Sequence, residues 1–149
     1  MTKQPITIGI IGLGGVAQAH LQAFESLSNL TTAAVCDVRS EVAQSVAEKY
    51  QARAFTEYSD LLAVGGFDLV MVLTPAATHR DIVEAVARAG FHVFCEKPLA
   101  VTIEDGQAIV KSCEEAGVKL FYGSCYRYLP AMKHAYDLIQ SGAIGDIQL

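Results

Sequence analysis

A chain of 149 residues, of which 52% are hydrophobic, is long enough to bury the core of one domain. Its 11 basic residues are scattered among 16 acidic ones, and a net charge of −5 without a basic block excludes a nucleic-acid-binding surface. No apolar stretch approaches the roughly 20 residues that span a membrane, so we expect no membrane partner. Residues 1–5 lack the apolar core and cleavage site of a signal peptide, which predicts a cytoplasmic protein.

The first elements in the chain belong to a repeating pattern of short apolar runs and longer amphipathic segments. Runs that are apolar throughout are typical of strands buried on both faces of a parallel sheet, and the segments between them are typical of crossover helices. Together they predict an α/β fold with a doubly wound parallel sheet of the Rossmann type. The predicted strands are residues 6–11, 32–36, 52–56, 69–73, 91–95 and 118–122.

Three crossover helices are expected, each with an apolar stripe that faces the sheet. Thr78 and Thr102, each followed three residues later by an aspartate, predict capped helix starts. Gly90 and Gly117 predict helix ends in the left-handed conformation. The expected stripes are Val16, His20, Ala23, Phe24 and Leu27; Ile82, Val83, Val86 and Ala89; and Ile103, Gln107, Val110 and Cys113.

The C-terminal part of the chain predicts a further helix over residues 130–141, with Met132, Ala135, Tyr136 and Ile139 facing inward. The last eight residues, GAIGDIQL, indicate a turn and the beginning of another strand. The four cysteines form no CxxC pair and lie at no zinc-finger spacing, so we predict neither a metal site nor a disulfide. Cys36 and Cys95 end apolar runs, where free cysteine behaves as a small buried hydrophobe.

The turn between the first strand and the first helix, residues 12–17, reads Gly-Leu-Gly-Gly-Val-Ala and matches the G-x-G-x-x-[G/A] pattern. In that pattern the first glycine allows a tight turn, and the second lets the backbone approach a pyrophosphate. The third small residue lets helix and strand pack closely. Amides at the helix start and the helix dipole then favour phosphate. Such turns also occur for purely structural reasons, so the surrounding sequence must distinguish the two.

Asp37 follows the second strand, 20 residues beyond Ala17, where the pattern expects an acid that accepts hydrogen bonds from the adenosine ribose. This context predicts a dinucleotide site; the alternative is a helix-capping aspartate beside an empty turn. A carboxylate there repels a 2′-phosphate, which favours NAD over NADP. Arg39 keeps NADP possible, because a guanidinium can pair with that phosphate or stack on adenine.

Two further motifs follow the fourth and fifth strands, LTPAATH at residues 73–79 and CEKPLA at residues 95–100. Both lie at the carboxyl edge, where doubly wound sheets bind ligands. With GIIGLGGVAQAH, the CD of the second strand, YGSCYRYLP and IQSGAIGDI, these motifs span the chain in one order. In this order the sequence resembles the glucose-fructose oxidoreductase and inositol dehydrogenase family, Gfo/Idh/MocA.

The resemblance implies a role for each matching residue. Departures from the family pattern at Ala76 and Tyr126, where Asn is common, leave the local cofactor contacts open. The resemblance also favours a cis peptide bond before Pro98. The implied pyrophosphate turn is Gly12, Gly14, Val16 and Ala17, with Asp37 at the adenosine ribose, Thr74 and Pro75 between the two halves of the cofactor, Glu96 near the nicotinamide ribose, Lys97 at the oxygen of the substrate carbon, and Arg127 near nicotinamide and substrate.

Lys97 also has a chemical rationale, since oxidation of an alcohol by NAD requires a base for the hydroxyl proton. A positively charged nicotinamide lowers the pKa of a nearby lysine and so suits it to that task. The alternative is a solvated loop lysine. His79 is a candidate cofactor contact, or a residue that only packs at a helix start. His20 is expected in the core or between domains.

The sequence thus predicts the nucleotide-binding half of an NAD-dependent oxidoreductase that acts on a hydroxyl carbon of a sugar, polyol or related molecule. Residues 1–123 would form the Rossmann domain, and residues 124–149 a connecting helix and the start of a C-terminal α+β substrate domain absent from this chain. The resemblance implies a homo-oligomer for the full-length protein. The alternatives are a module that senses dinucleotide without turnover, which the EKP motif disfavours, and another Rossmann dehydrogenase or reductase, which lacks that motif.

Overall fold

The computed structural model describes residues 5–148 and contains a single sheet of six parallel strands in the order β3-β2-β1-β4-β5-β6. The strands are β1 (Ile6–Ile11), β2 (Leu30–Cys36), β3 (Arg53–Phe55), β4 (Leu69–Val72), β5 (His92–Glu96) and β6 (Leu120–Gly123). The helices are α1 (Gly15–Phe24), α2 (Ser40–Tyr50), α3 (Tyr58–Val64), α4 (His79–Arg88), α5 (Ile103–Glu115) and α6 (Pro130–Gln140). The predicted doubly wound sheet is confirmed.

Helices cover both faces of the sheet and divide the core into two layers. Because successive side chains of a strand alternate, Val70 and Val72 of β4 face one layer and Met71 faces the other. Helices α1 and α2 pack on the Met71 side, whereas α3, α4 and α5 pack on the opposite side. The strand order reverses between β1 and β4, which places a crevice at the carboxyl ends of these two strands.

The predicted helix stripes are wrong in detail. In α1 the buried residues are Ala17 and Leu21, whereas Val16, Ala23 and Leu27 are exposed. At α4, Ala87 is buried, whereas the predicted Ala89 is exposed. In α5 the buried residues are Ile109 and Cys113, whereas Ile103, Gln107 and Val110 face solvent. Each residue advances a helix by a rotation of about 100°. Where small or apolar residues occupy adjoining positions, the sequence alone therefore does not define which of them is buried.

The sequence signals at the helix ends are mostly confirmed. The Thr102 side chain accepts a hydrogen bond from the Asp105 amide, and Gly90 and Gly117 have φ of 84° and 66°. Thr78 precedes α4 as expected but does not cap it, because its hydroxyl lies 2.8 Å from Thr74 Oγ1 and 2.9 Å from the Pro75 carbonyl. Helices α2 and α3 were not predicted; the seven residues of α3 are too few to display a period.

The C-terminal segment differs most from expectation. Helix α6 forms, but Met132, Ala135, Tyr136 and Ile139 are exposed rather than inward, because the described chain brings no core against that face. The turn is present, with positive φ at Gly142 and Gly145, but residues 145–148 form no strand. A strand requires a neighbour to complete its hydrogen bonds, and none lies beside this segment in residues 5–148; Leu149 lies outside the described residues.

Candidate functional site

A cleft of about 680 Å³ lies at the carboxyl edge of the sheet, where the strand order reverses. Its walls come from the turn between β1 and α1, the residues after β2, the start of α3 and the residues between β4 and α4. Of the predicted site residues it brings together Gly12, Gly14, Val16, Asp37, Arg39, Thr74 and Pro75. Four of the six strands or their following loops therefore contribute to one concave surface.

The glycines of the turn serve two different purposes. Gly12 has φ +91°, and a Cβ there would lie 2.8 Å from the backbone carbon of Leu73 and from the amide nitrogen of Thr74. Glycine is thus required at position 12 by the fold. Gly14 and Gly15 line the cleft, and apart from their chain neighbours and the backbone of their own helix, no atom of the described residues lies within 4 Å of a Cβ placed on either. Nothing in the protein requires glycine at these two positions, so the open space beside them suits a ligand.

The N-terminus of α1 points its free amides toward this space. Gly14 is the N-cap, no side chain caps the helix, and its first turn contains no acidic residue. The first amides of a helix have no acceptor within the helix, and its dipole adds partial positive charge. Ala17 is fully buried between α1 and the sheet and lets them pack closely, while Val16 is exposed to the cleft. The turn therefore fits a pyrophosphate.

Asp37 is 7% exposed and accepts four hydrogen bonds. Its Oδ2 accepts from the Leu13 amide at 2.9 Å and from Arg39 Nη2 at 3.0 Å, and its Oδ1 accepts from Arg39 Nε at 2.8 Å and from the Arg39 amide at 3.0 Å. The Arg39 guanidinium, helped by the two amides, outweighs burial and lowers the pKa of Asp37 from 3.8 to about 2. The carboxylate is therefore ionised at neutral pH.

We expect this carboxylate to make the stability of the chain depend on acid pH. The pKa of Asp37 is lower in the folded chain, so its contribution is present above about pH 4 and is lost as the pH falls toward 2. The shift corresponds to about 2 kcal/mol in the free energy of unfolding. Urea denaturation between pH 6 and pH 2.5 should therefore show a smaller loss of stability for Asp37→Asn than for the unsubstituted chain. The exposed Asp137→Asn serves as control, and equal pH dependence of all three proteins would contradict the assignment.

His79, which the sequence predicts as a cofactor contact, does not line the cleft. The side chain is fully buried, with Nε2 2.8 Å from the Thr74 carbonyl and Nδ1 3.1 Å from the Leu99 carbonyl. Because α4 begins at His79 itself, the ring turns into the interior between the ends of β4 and β5.

Glu96 ends β5 and is largely buried beside residues that sequence analysis did not connect to it. Its Oε2 lies 3.5 Å from Nε2 of His20, a partly exposed residue of α1. A Cβ on Gly123 of β6 would lie 2.8 Å from the same oxygen, so the missing side chain leaves room for the carboxylate. The motifs containing His20 and Glu96 are 76 positions apart, and only the fold brings them together.

Lys97 and Arg127 are both exposed and lie outside the walls of the cleft. The bond between Lys97 and Pro98 is cis, as expected. Lys97 directly follows β5, and β5 pairs with β4, whose end forms the cleft wall at Thr74. The lysine is thus one strand away from the cleft at the same edge of the sheet. Arg127 belongs to the short 3-10 turn Cys125–Tyr128 after β6.

Comparison with known protein families decides which Rossmann proteins this chain is related to. Residues 6–124, which include all six strands, match the Gfo/Idh/MocA family, described as "Oxidoreductase family, NAD-binding Rossmann fold". The chain belongs to this family. The match identifies residues 6–124 as an NAD-binding Rossmann domain of this family, and the cleft is its candidate cofactor site.

Relatives of this Gfo/Idh/MocA domain are dehydrogenases of greater length. It is 33% identical over 137 residues to D-apiose dehydrogenase of Paraburkholderia graminis, and the matched region covers 91% of this chain and 36% of that protein. Inositol 2-dehydrogenase of Salmonella typhimurium is 32% identical over 141 residues, covering 92% and 42%. The crystal structure of the WlbA dehydrogenase from Bordetella pertussis in complex with NADH and UDP-GlcNAcA has a TM-score of 0.93 at 34% identity, covering 99% and 43%. The chain spans about two fifths of the length of these relatives.

Residues 5–148 of the Gfo/Idh/MocA domain contain neither a membrane-spanning helix nor a group of metal ligands. No helix in this part of the chain is long and apolar enough to cross a membrane. Within the same residues, no three His, Cys, Asp or Glu side chains are grouped so that they could hold a metal ion. Cys36, Cys95 and Cys113 are buried as free thiols, as expected for the first two, and Cys125 is exposed.

Proposed function

We propose that this chain is the nucleotide-binding half of an NAD-dependent oxidoreductase that transfers hydride to or from a hydroxyl carbon of a sugar, polyol or related small molecule. One observation carries the proposal. The cleft joins an uncapped helix start beside open glycines to an ionised Asp37, and Lys97 lies one strand away at the same sheet edge. A site of this kind both holds a dinucleotide and brings an amine near its reactive end.

The division of the sheet suggests how the cofactor lies. In a doubly wound sheet each half binds one mononucleotide, with the pyrophosphate at the reversal between them. The adenosine half then lies over β1, β2 and β3, where Asp37 accepts hydrogen bonds from the ribose. The pyrophosphate lies at Gly14 and Val16, and Thr74 and Pro75 line the path toward the other half. The nicotinamide half lies over β4, β5 and β6, near Glu96 and Arg127.

Lys97 supplies the acid–base chemistry in this proposal. NAD, when bound, accepts or donates the hydride. The hydroxyl proton must leave as the carbon is oxidised. An amine at the carboxyl end of β5 lies at the same sheet edge as the proposed nicotinamide ring, where it can take that proton. In the reverse direction the same amine returns the proton.

The names of the relatives support the substrate class. Apiose, inositol and UDP-GlcNAcA are all carbohydrates or polyols with free hydroxyl groups, and the WlbA structure contains NADH. We propose that residues 124–149 connect the Rossmann domain of residues 1–123 to a further α+β domain that supplies most substrate contacts. The scattered basic residues and the net charge of −5 support a protein without a nucleic-acid partner, and we also propose a cytoplasmic homo-oligomer for the full-length protein.

Titration calorimetry of the 149-residue chain with NADH and NADPH tests the cofactor assignment. We expect tighter binding of NADH, because the ionised Asp37 repels a 2′-phosphate and already pairs with Arg39. Asp37→Ala should weaken NADH binding about 10- to 100-fold, which corresponds to the loss of hydrogen bonds to a charged group, and should reduce the preference over NADPH.

Two results would contradict this assignment. Tighter binding of NADPH by the unsubstituted chain would mean that Arg39 leaves Asp37 and pairs with the 2′-phosphate. An Asp37→Ala chain with unchanged affinity and preference would remove the carboxylate from the ribose site. Asp137→Ala on the exposed face of α6 is the matched control and should bind both cofactors as the unsubstituted chain does.

A further inference from the structure

His79 is a fully buried polar residue that the proposed chemistry does not use, and it contacts two separate segments. Its Nε2 lies 2.8 Å from the Thr74 carbonyl, at the end of β4. Its Nδ1 lies 3.1 Å from the Leu99 carbonyl and 3.3 Å from Cys95 Sγ. Residues 95–99 contain Lys97 and are called the Lys97 segment below. The ring therefore joins the wall of the cleft to the segment that carries the lysine.

The two ring nitrogens of His79 contact two different parts of the chain. A carbonyl oxygen only accepts, so the short contact to Thr74 requires a proton on Nε2. Nδ1 lies close to both Cys95 Sγ and the Leu99 carbonyl, and burial raises the pKa of the Cys95 thiol to about 12, which keeps its proton in place. Cys95 and Leu99 both belong to the Lys97 segment.

After β5 ends, the chain around Lys97 makes few backbone hydrogen bonds, and the partly buried Leu99 and Ala100 pack against the core. Lys97 and Pro98 are exposed, and residues 97–102 adopt no helix or strand. Among the described residues, no amide of residues 99–101 donates to another backbone group. A side chain that only filled the core would need no polar partners, and a buried imidazole without them costs about 1–3 kcal/mol. The paired ring therefore does more than occupy volume.

We propose that His79 is a positioning residue that holds the Lys97 segment against the cleft wall at Thr74. It acts through the backbone of both segments and touches neither cofactor nor substrate. The proposal rests on the proposed function for the meaning of Lys97, but the tie between the segments exists without a ligand. Its consequence is that loss of the tie disturbs the nicotinamide end of the site and leaves the adenosine end intact.

Three substitutions of His79 distinguish its contact with Thr74 from its contact with the Lys97 segment. His79→Phe retains a ring and removes all polar contacts. His79→Gln places an amide near the position of Nε2 and keeps only the Thr74 contact, whereas His79→Asn places one near Nδ1 and keeps only the contact to the Lys97 segment. His134→Phe on the exposed surface of α6 is the matched control. The Gln and Asn variants decide the question even where His79→Phe does not fold.

The first measurement is the NMR order parameter of the backbone amides in the 149-residue chain without ligand. For Leu99 and Ala100 we expect a fall from about 0.85 to below about 0.6 in the Phe and Gln variants, and a value near that of the unsubstituted chain in the Asn variant. The amides of Ile8 and Ile10 in β1 should stay rigid throughout. Unchanged order at Leu99 and Ala100 in the Gln variant would overturn the proposal, because a purely structural role would not distinguish Gln from Asn.

The second measurement compares NADH with ADP, which lacks the nicotinamide riboside. His79→Gln should weaken NADH binding about 3- to 10-fold, the range of one lost hydrogen bond, and leave ADP binding unchanged. Equal weakening of both ligands would assign His79 to general stability and overturn the proposal. If the unsubstituted chain binds no NADH, the proposed function fails, and the order parameters still decide whether His79 holds the segment.

Discussion

Replacing Lys97 by alanine in a full-length enzyme that carries this domain is expected to lower kcat by roughly 10²–10⁴-fold, the range for a positioned acid or base. The affinity for NADH should change little, because the cleft that holds the cofactor does not include Lys97. Steady-state kinetics with a panel of sugars and polyols, together with NADH titration, measure the two effects separately. Lys111→Ala is the matched control, since this lysine is exposed on α5 and pairs only with the exposed Glu115.

The 149-residue chain by itself is expected to be catalytically silent. Hydride transfer requires the substrate carbon to be held near the nicotinamide and water to be excluded, which takes walls on both sides of the ring. The exposed Lys97 and the exposed face of α6 indicate that this chain supplies one wall. Turnover of sugars or polyols by the 149 residues, or a Lys97→Ala enzyme with normal kcat, would return Lys97 to the role of a solvated loop residue.

Alanine substitution is expected to affect stability at Gly12 and cofactor binding at Gly14, two glycines of the first turn. Gly12→Ala should lower the free energy of unfolding by about 3 kcal/mol, because φ +91° disfavours a side chain and the new Cβ meets the backbone of Leu73 and Thr74 at 2.8 Å. Gly14→Ala should lower stability much less, by about 1 kcal/mol or below for alanine in place of an N-cap glycine, since Gly14 has an ordinary extended backbone and open space around it. It should nevertheless weaken NADH binding about tenfold or more, because the methyl group occupies the space left for the pyrophosphate.

Urea denaturation and titration calorimetry on the two variants measure these effects, and each variant is the control for the other. A Gly14→Ala chain that binds NADH normally would mean that the open space beside the turn is not the pyrophosphate site. A Gly12→Ala chain of normal stability would mean that the turn can move away from β4. Gly106→Ala in α5, where a Cβ meets only Ala100 at 3.9 Å, shows the effect of the same substitution at a site without a constraint.

Much of the fold follows from local features of the sequence. The apolar runs predict the six strands because a strand buried on both faces must be apolar throughout. Gly90 and Gly117 mark helix ends because the left-handed conformation costs glycine little, and Thr102 marks a start because its hydroxyl reaches the Asp105 amide within one turn. The glycine turn, with Asp37 after the second strand, likewise predicts the position of the cleft, since all of these features depend on residues close in the chain.

Other properties of the site depend on contacts between residues far apart in the chain. His79 and Val16 both lie in motifs, yet one is enclosed and the other faces the cleft, because the direction of each helix relative to the sheet selects which side chains are buried. The exposure of α6 likewise depends on what packs against it and not on its own periodicity.

The sequence by itself determined the order of the strands, the helices α1, α4, α5 and α6, the glycine turn, the acid at the second strand and the motif that contains Lys97. Tertiary structure alone decided that Gly12 is required by the backbone of Leu73 while Gly14 borders open space. It also decided that the Arg39 guanidinium pairs with Asp37, and that His79 joins the end of β4 to the segment after β5. The reason is physical: a periodic pattern records which residues avoid water, whereas hydrogen-bond partners and free volume depend on where distant segments meet.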